Sequence, residues 1–238
     1  MKRLCLIFLM LLMASVAGTS NAELIHQYTF NDGTANDSVG SLNLDMWQAD
    51  ASGGTLNTYG EVSSAYGDVT SVVQNSFTLE AWFSGVWVDD VFGIRGADGF
   101  DWSGGFTVRH NTWDGVYALA ADNGWTTNWV PSGVFVNANG LHQVALAYTM
   151  NAGDDDIALY VDGAFIGTTT TAVAFPAVSY LRIGSDAQWT EANYDTFNIY
   201  DSALTAQDIA TNYAAVVPEP ATMILLGLGG FALRMRKR

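Results

Sequence analysis

An all-β sandwich with one short helix is the fold this 238-residue sequence predicts. Three observations predict it. Short stretches alternate apolar and polar residues with period two, pairs containing glycine punctuate them, and only one segment carries helix-start chemistry. The first stretch is 25–30, followed by Asp32-Gly33. In 77–83 the side chains of Phe77, Leu79, Ala81 and Phe83 share one face, while Thr78, Glu80 and Trp82 share the other. Further strands are expected at 106–109, 116–121, 125–130, 142–149, 157–161, 180–183 and 194–200. Asp98-Gly99, Asp114-Gly115, Asn123-Gly124, Asn139-Gly140 and Asp162-Gly163 supply residues that tolerate positive φ at the turns. The helix is expected at 206–213. Thr205 is its N-cap, Asp208 closes a capping box, and Leu204 staples against Ile209.

Both ends of the chain read differently. Lys2 and Arg3 precede an apolar run at 4–17, and Ser20-Asn21-Ala22 offers small residues for cleavage after Ala22, the pattern of a Sec-type signal peptide. Cys5, the one cysteine, lies in that run, so the exported part is expected to have no disulfide and no cysteine metal site. At the other end Pro218-Glu219-Pro220 stops any helix, 221–233 is apolar, and Arg234, Arg236, Lys237 and Arg238 follow. As helix, that apolar run spans about 20 Å against a hydrocarbon core of about 30 Å, which suits a removable stop-transfer segment better than a lasting anchor. Its order of motif, apolar stretch and basic end resembles the PEP-CTERM sorting signal of Gram-negative bacteria. The resemblance implies recognition by an exosortase-type enzyme at the inner membrane, transient membrane association through the tail, and delivery to the cell surface or an exopolysaccharide matrix. The expected organisation is therefore a signal peptide at 1–22, a domain at 23–215 and a sorting signal at 216–238.

Between the ends, the chain from 23 to 217 has no lysine, and its cations are Arg95, Arg109 and Arg182. Against 23 carboxylates they leave a net charge near −20. Phosphate neutralisation needs cations, so nucleic acid is excluded as a partner. Such a charge would also repel acidic polysaccharides unless divalent ions bridge them.

Five pieces in order resemble a LamG-like, concanavalin A-like jelly roll covering about 24–214. They are Tyr28-Thr29-Phe30-Asn31-Asp32-Gly33 with Asp37-Ser38-Val39-Gly40; Ser76-Phe77-Thr78-Leu79-Glu80-Ala81-Trp82-Phe83; Leu141-His142-Gln143-Val144-Ala145; Leu159-Tyr160-Val161-Asp162-Gly163; and Leu181-Arg182-Ile183-Gly184 with Tyr194 to Asp201 and the Leu204-Thr205 helix start. Leu141 stands where the family often has tryptophan. The resemblance implies two antiparallel sheets, one of them concave, with loops at the rim. It also implies one structural calcium ion held by Asp37 and Asp195, with Asp32 as a further ligand. The alternative is that Asp37 caps a turn and Asp195 bonds a neighbouring strand. The acidic run 154–156 lacks the spacing of a calcium loop and reads as solvated.

The stretch 87–131 holds five tryptophans interleaved with aspartates. Trp102, Trp113, Trp125 and Trp129, with Arg109, are the expected glycan-binding residues, because flat rings cover the apolar face of a sugar while polar groups take its hydroxyls. The competing expectation is that these rings fill the core. Trp82 fits either core or concave surface, and His142 is expected to pack within its strand. No paired-glutamate strand motif, nucleophile elbow or His-Glu-x-x-His occurs, so nothing points to catalysis. The expected function is non-enzymatic binding of glycan or another surface partner. A glycoside hydrolase or lyase and a purely structural matrix protein are the rival readings.

Overall fold

The computed structural model describes residues 22–87, 90–96, 105–111, 115–120, 128–131, 133, 140–173, 175–185 and 190–217. The expected signal peptide up to residue 21, Pro218, Glu219, Pro220 and the rest of the sorting tail lie outside them. Among the described residues no helix is long and apolar enough to cross a membrane.

Two seven-stranded sheets face each other. The first runs in the order β1 (Leu24–Tyr28), β14 (Thr190–Tyr200), β5 (Phe77–Trp87), β10 (His142–Thr149), β11 (Asp155–Val161) and β12 (Ala164–Thr171), with β3 (Leu56–Gly60) also paired to β14. The second runs β2 (Asp45–Trp47), β4 (Ser63–Asp68), β13 (Ser179–Ser185), β6 (Asp90–Gly96), β7 (Phe106–Asn111), β8 (Gly115–Ala120) and β9 (Asn128–Pro131). Neighbouring strands pair antiparallel in both sheets. This confirms the expected sandwich. Where the sequence predicts strand to residue 30, β1 ends at Tyr28, because Phe30 takes φ 57° and its carbonyl accepts from Gly33 N–H in a turn.

Period-two alternation fills the space between the sheets. Phe77, Leu79, Ala81 and Phe83 of β5 point inward as expected, meeting Val144, Leu146 and Tyr148 of β10 and the inward rows of the second sheet. Phe92 meets Phe197 edge-on at 5.3 Å, and Phe77 stacks on Phe106 at 6.0 Å. Tyr194 hydroxyl donates to Val91 carbonyl at 2.7 Å and so ties the sheets together. Its own burial, with the Asp90 charge second, pushes the Tyr194 phenol far above its ordinary range.

Part of the outward face of the first sheet is covered by a helix, while Phe165 on the same face stays exposed. Helix α1 (Ala206–Val216) starts at Thr205 with the expected capping box and drops Ile209 beside Leu204, Ala145, Ala147 and Tyr160. Under it lies a buried polar row. Glu80 accepts from Gln143 Nε2 at 2.5 Å, Asn198 Nδ2 at 2.8 Å, Tyr200 hydroxyl at 3.1 Å and Asn212 Nδ2 at 3.4 Å, the last from α1 itself. Trp82 is buried on this same face and stacks on Tyr213 of α1, with ring centres 6.0 Å apart. It is thus neither sandwich core nor open concave surface. The Asp162-Gly163 turn runs beneath the helix, where a Cβ on Gly163 (φ 76°) would fall 2.9 Å from Tyr213 Cβ. Only glycine fits there.

Candidate functional site

The outward face of the second sheet carries a cleft among the described residues. Alternation decides which residues it presents. Leu181 and Ile183 point into the core, so Arg182 between them points out; Ile94 and Val108 do the same for Arg95 and Arg109. All three cations of segment 23–217 therefore stand on a single face of a domain with 23 carboxylates.

The face divides into a closed half and an open half. On β6 and β7, Arg109 Nε lies 2.8 Å from Asp90 Oδ1, and Arg95 Nη2 lies 3.7 Å from the same oxygen. Arg95 also donates to Thr107 Oγ1 at 3.3 Å. Asp90, Arg95 and Thr107 are buried, so this is an internal ion cluster that brings β6 and β7 together, and its charges are opposed at close range.

The open half lies on β2, β4 and β13. Trp47, Val62, Tyr66 and Arg182 line a cleft of about 210 Å³. The Arg182 guanidinium lies over the Tyr66 ring, 5.3 Å from its centre, and Nη1 donates to Ser64 Oγ at 3.3 Å. Trp47 is 51% exposed on β2, which among the described strands pairs only with β4, in a register that sets Trp47 opposite Ser64 and Asp45 opposite Tyr66. A half-exposed indole, a phenol ring and a fixed guanidinium around one concavity supply apolar faces together with polar donors. That is the combination a small polar ring with an apolar face requires.

The residues singled out from the sequence fall differently. Trp102, Trp113 and Trp125 lie outside the described residues, as does the side chain of Trp129; its backbone pairs with Leu119 across β8 and β9. Arg109 belongs to the Asp90 cluster. The competing expectation, that these rings fill the core, lies outside the described residues with them.

The residues expected to hold calcium do not fit a calcium site. Asp37 is fully enclosed. Its Oδ1 accepts the backbone N–H of Gln27 (3.0 Å), Val39 (3.1 Å) and Gly40 (2.9 Å), while Oδ2 accepts Leu42 N–H (3.0 Å) and His26 Nδ1–H (2.6 Å). A carboxylate has about four lone-pair sites, and five donors leave none for a cation. Burial pushes the Asp37 carboxyl up, but the N–H groups of Gly40 and Gln27, the His26 ring and Val39 N–H outweigh it and hold it down to about 2. Asp32 turns to Thr34 N–H and hydroxyl, and exposed Asp195 accepts from Thr196. Asp32, Asp37 and Asp195 do not come together, and no group of three His, Cys, Asp or Glu among the described residues could hold a metal ion. Asp37 is a turn brace, as the alternative reading had it, and Gly40 is obligatory beside it because a Cβ would fall 2.6 Å from His26 Nδ1.

The architecture has relatives. A family profile described as the concanavalin A-like lectin/glucanases superfamily matches residues 53–210. The chain belongs to that superfamily. A second profile, the PEP-CTERM protein-sorting motif, matches 216–238 and begins where α1 ends. This motif marks exported proteins and implies an exosortase-type processing partner in general. A comparison with curated proteins finds no match. Among solved structures, this concanavalin A-like domain is similar to Trypanosoma rangeli sialidase, with 16% identity and a TM-score of 0.61 over 80% of this chain, which spans only 32% of the sialidase. It is similar to domain 4 of AbnA, a GH43 extracellular arabinanase from Geobacillus stearothermophilus solved with arabinotriose, with 14% identity and a TM-score of 0.58 over 80% of this chain and 98% of that one. It is also similar to the botulinum neurotoxin type G receptor-binding domain, with 12% identity and a TM-score of 0.56 over 81% of this chain and 51% of the other. At these identities the likeness is one of fold. Within the superfamily match lie Tyr66 and Arg182 of the cleft, while Trp47 precedes it.

Proposed function

We propose that the domain binds carbohydrate on the outward face of its second sheet, and that the sorting tail delivers this binding module to the cell surface or the exopolysaccharide matrix. The observation that carries the proposal is the Trp47, Tyr66 and Arg182 cleft, the open half of a face whose other half is closed by ion pairs. The superfamily supports it, and so does the arabinanase domain, a structure solved with a bound oligosaccharide that this fold matches over nearly its full length. Export through a signal peptide cleaved after Ala22, a domain at 23–215 and transient inner-membrane anchoring by 216–238 complete the reading. In it an exosortase-type enzyme is the processing partner and the matrix glycan is the ligand.

The test is affinity electrophoresis of residues 23–217, which contain both sheets and α1, through gels loaded with individual polysaccharides. Retardation by at least one polysaccharide is expected. Trp47→Ala is expected to weaken it about tenfold, or roughly 1.4 kcal/mol, since the variant removes a stacking platform. The melting temperature should hardly change, because Trp47 is half exposed and belongs to no core cluster. Unaltered retardation in Trp47→Ala would place the site elsewhere, and no retardation of the parent domain would overturn the proposal.

A further inference from the structure

We infer that the domain lies against the lipid surface through one uncharged patch, Leu141, Phe165 and Val216 at the C-terminal end of α1, for as long as its tail is anchored in the inner membrane; this rests on the anchoring proposed above. The helix fixes where the patch is. It starts beside Thr78, whose Oγ1 accepts Leu204 N–H at 2.8 Å and which pairs with Ala147 of β10. It ends past Trp82, which pairs with Gln143 and stacks on Tyr213. So α1 runs back along β10, from its Met150 end to its Leu141 end. At that end Gly163 lies against Tyr213 in the turn between β11 and β12. Phe165 follows it, with its ring centre 5.4 Å from that of Tyr160. Leu141 is 36% exposed, Phe165 54% and Val216 49%.

Charge sets this patch apart from the rest of the surface. Segment 23–217 holds 23 acids, yet 163–173 and 209–217 carry no charged side chain. Asp162, in the turn beside them, is bonded to His142 Nδ1 at 2.9 Å and to Gln143 N–H at 3.0 Å. Edge strands are ordinarily guarded by charges. β12, which among the described strands pairs only with β11, has none. A half-exposed apolar patch without carboxylates is the side on which a strongly acidic domain approaches lipid headgroups at least cost in desolvation and repulsion.

The tail determines that lipid, rather than a second copy, covers it. Val217 N–H donates to Tyr213 carbonyl at 2.9 Å, so the helix holds the chain up to that residue. The apolar run begins at Ala221. Four residue steps of at most about 3.6 Å separate the two, a reach of about 14 Å. A headgroup layer takes up roughly 5–8 Å of that reach. As helix, 221–233 is about 10 Å too short for the hydrocarbon core, and its basic end stays on the cytoplasmic side. A mismatch of this sign draws the flanking residues towards the bilayer. Such a tether does not let the domain stand clear of the membrane, and the end of α1 is the part it pulls down first.

The absence of cysteine from 23–238 permits single labels. Leu141→Cys, Phe165→Cys and Met150→Cys, each carrying a nitrobenzoxadiazole fluorophore, are inserted as residues 23–238 into phosphatidylcholine vesicles doped with a headgroup spin-labelled lipid. Met150 is exposed at the opposite end of β10, about 30 Å from Leu141 at the rise of a strand. Leu228→Cys reports whether the tail is inserted. The labelled domain positions are all exposed, so melting curves should match the parent. Quenching at Leu141 and Phe165 is expected to exceed that at Met150 roughly threefold, since only the first two reach the headgroup layer. A flexible Gly-Ser spacer of about 20 residues after Val217, with an end-to-end distance of about 25 Å, is expected to abolish the difference. Equal quenching at all three domain positions with Leu228 quenched, or a difference that survives the spacer, overturns the inference while the anchoring stands. A blue shift at Leu141 and Phe165 without lipid quenching assigns the patch to a second copy and also overturns it. An unquenched label at Leu228 overturns the anchoring itself, and this inference with it.

Discussion

Replacing Glu80 by alanine is expected to lower the melting temperature of residues 23–217 by on the order of 10 °C. Glu80 is 1% exposed and accepts from four side chains on β10, β14 and α1. Its loss leaves Gln143, Asn198, Tyr200 and Asn212 with donors facing a cavity in a water-poor layer. Buried groups left without partners cost about 1–3 kcal/mol each, and neighbours in one network share the damage, so about 4 kcal/mol is a fair total. In a domain of this size each kcal/mol is worth about 2–4 °C. The effect should be localised as well as large. Asn212, Ile209 and Tyr213 bind α1 to this row and to Trp82, so hydrogen exchange in peptides covering 204–216 should accelerate far more than in β6 or β13. Glu80→Gln preserves shape but turns one acceptor into a donor facing Asn198 and Tyr200, and is expected to cost about half as much. Burial, followed by the Glu80 charge, pushes the Tyr200 phenol well above its usual range. In Glu80→Ala that phenol should therefore titrate at lower pH in a spectrophotometric titration. An alanine variant that melts with the parent would show that the row does not hold the helix.

Asp37→Ala is expected to be nearly as damaging, at about 3 kcal/mol, because three loop N–H groups, Gln27 N–H of β1 and the His26 ring lose one enclosed acceptor. The pH dependence identifies the cause. The folded-state carboxyl is held at about 2 against an ordinary 3.8, so its contribution is present above the unfolded value and disappears as pH falls from about 4 towards 2. The stability gap between the parent and Asp37→Asn should be constant at neutral pH and should close across that acid window in urea denaturation series. A gap that stays constant down to pH 2 would contradict the assigned role. Calcium is not expected to rescue either variant.

The sandwich was readable wherever one face of a strand is apolar and the other is not. Residues 77–83, 142–149, 157–161 and 194–200 all pair as their alternation implies, and the Thr205 capping box starts α1. The short edge strand Asp45–Trp47 was not readable, since three exposed residues show no alternation. Leu56–Gly60 and Ser63–Asp68 were missed because Ser, Thr, Gly and Asn fill positions that pack by shape without looking apolar. The cleft was missed for the same reason, since its walls come from two of those strands. A signal did exist. Arg182 between Leu181 and Ile183 and Arg109 after Val108 stand opposite inward positions of predicted strands, but only the pairing of β6, β7 and β13 puts them and Arg95 on one face. His26-Gln27 with Asp37 and His142-Gln143 with Asp162 hid another regularity. In both, an aspartate binds the histidine Nδ1 and the glutamine N–H, a pairing between residues 10 to 20 apart that only the fold closes. Seen from sequence alone, Asp37 took the calcium role because the family resemblance assigned it. The five donors around it became visible only when β1 and its following loop were folded together.

Because segment 23–217 contains only three arginines, its arginine Nε–H spectrum offers three side-chain probes, and all three stand on the face in question. Titrating the ¹⁵N-labelled domain with a polysaccharide that it binds, with Arg182→Lys to assign the signals, tests the account most directly. The Arg182 signal is predicted to move with a saturable curve while Arg95 and Arg109, enclosed with Asp90, stay in place. Movement of Arg95 or Arg109 with Arg182 unmoved, or saturable binding that shifts none of the three, would contradict it.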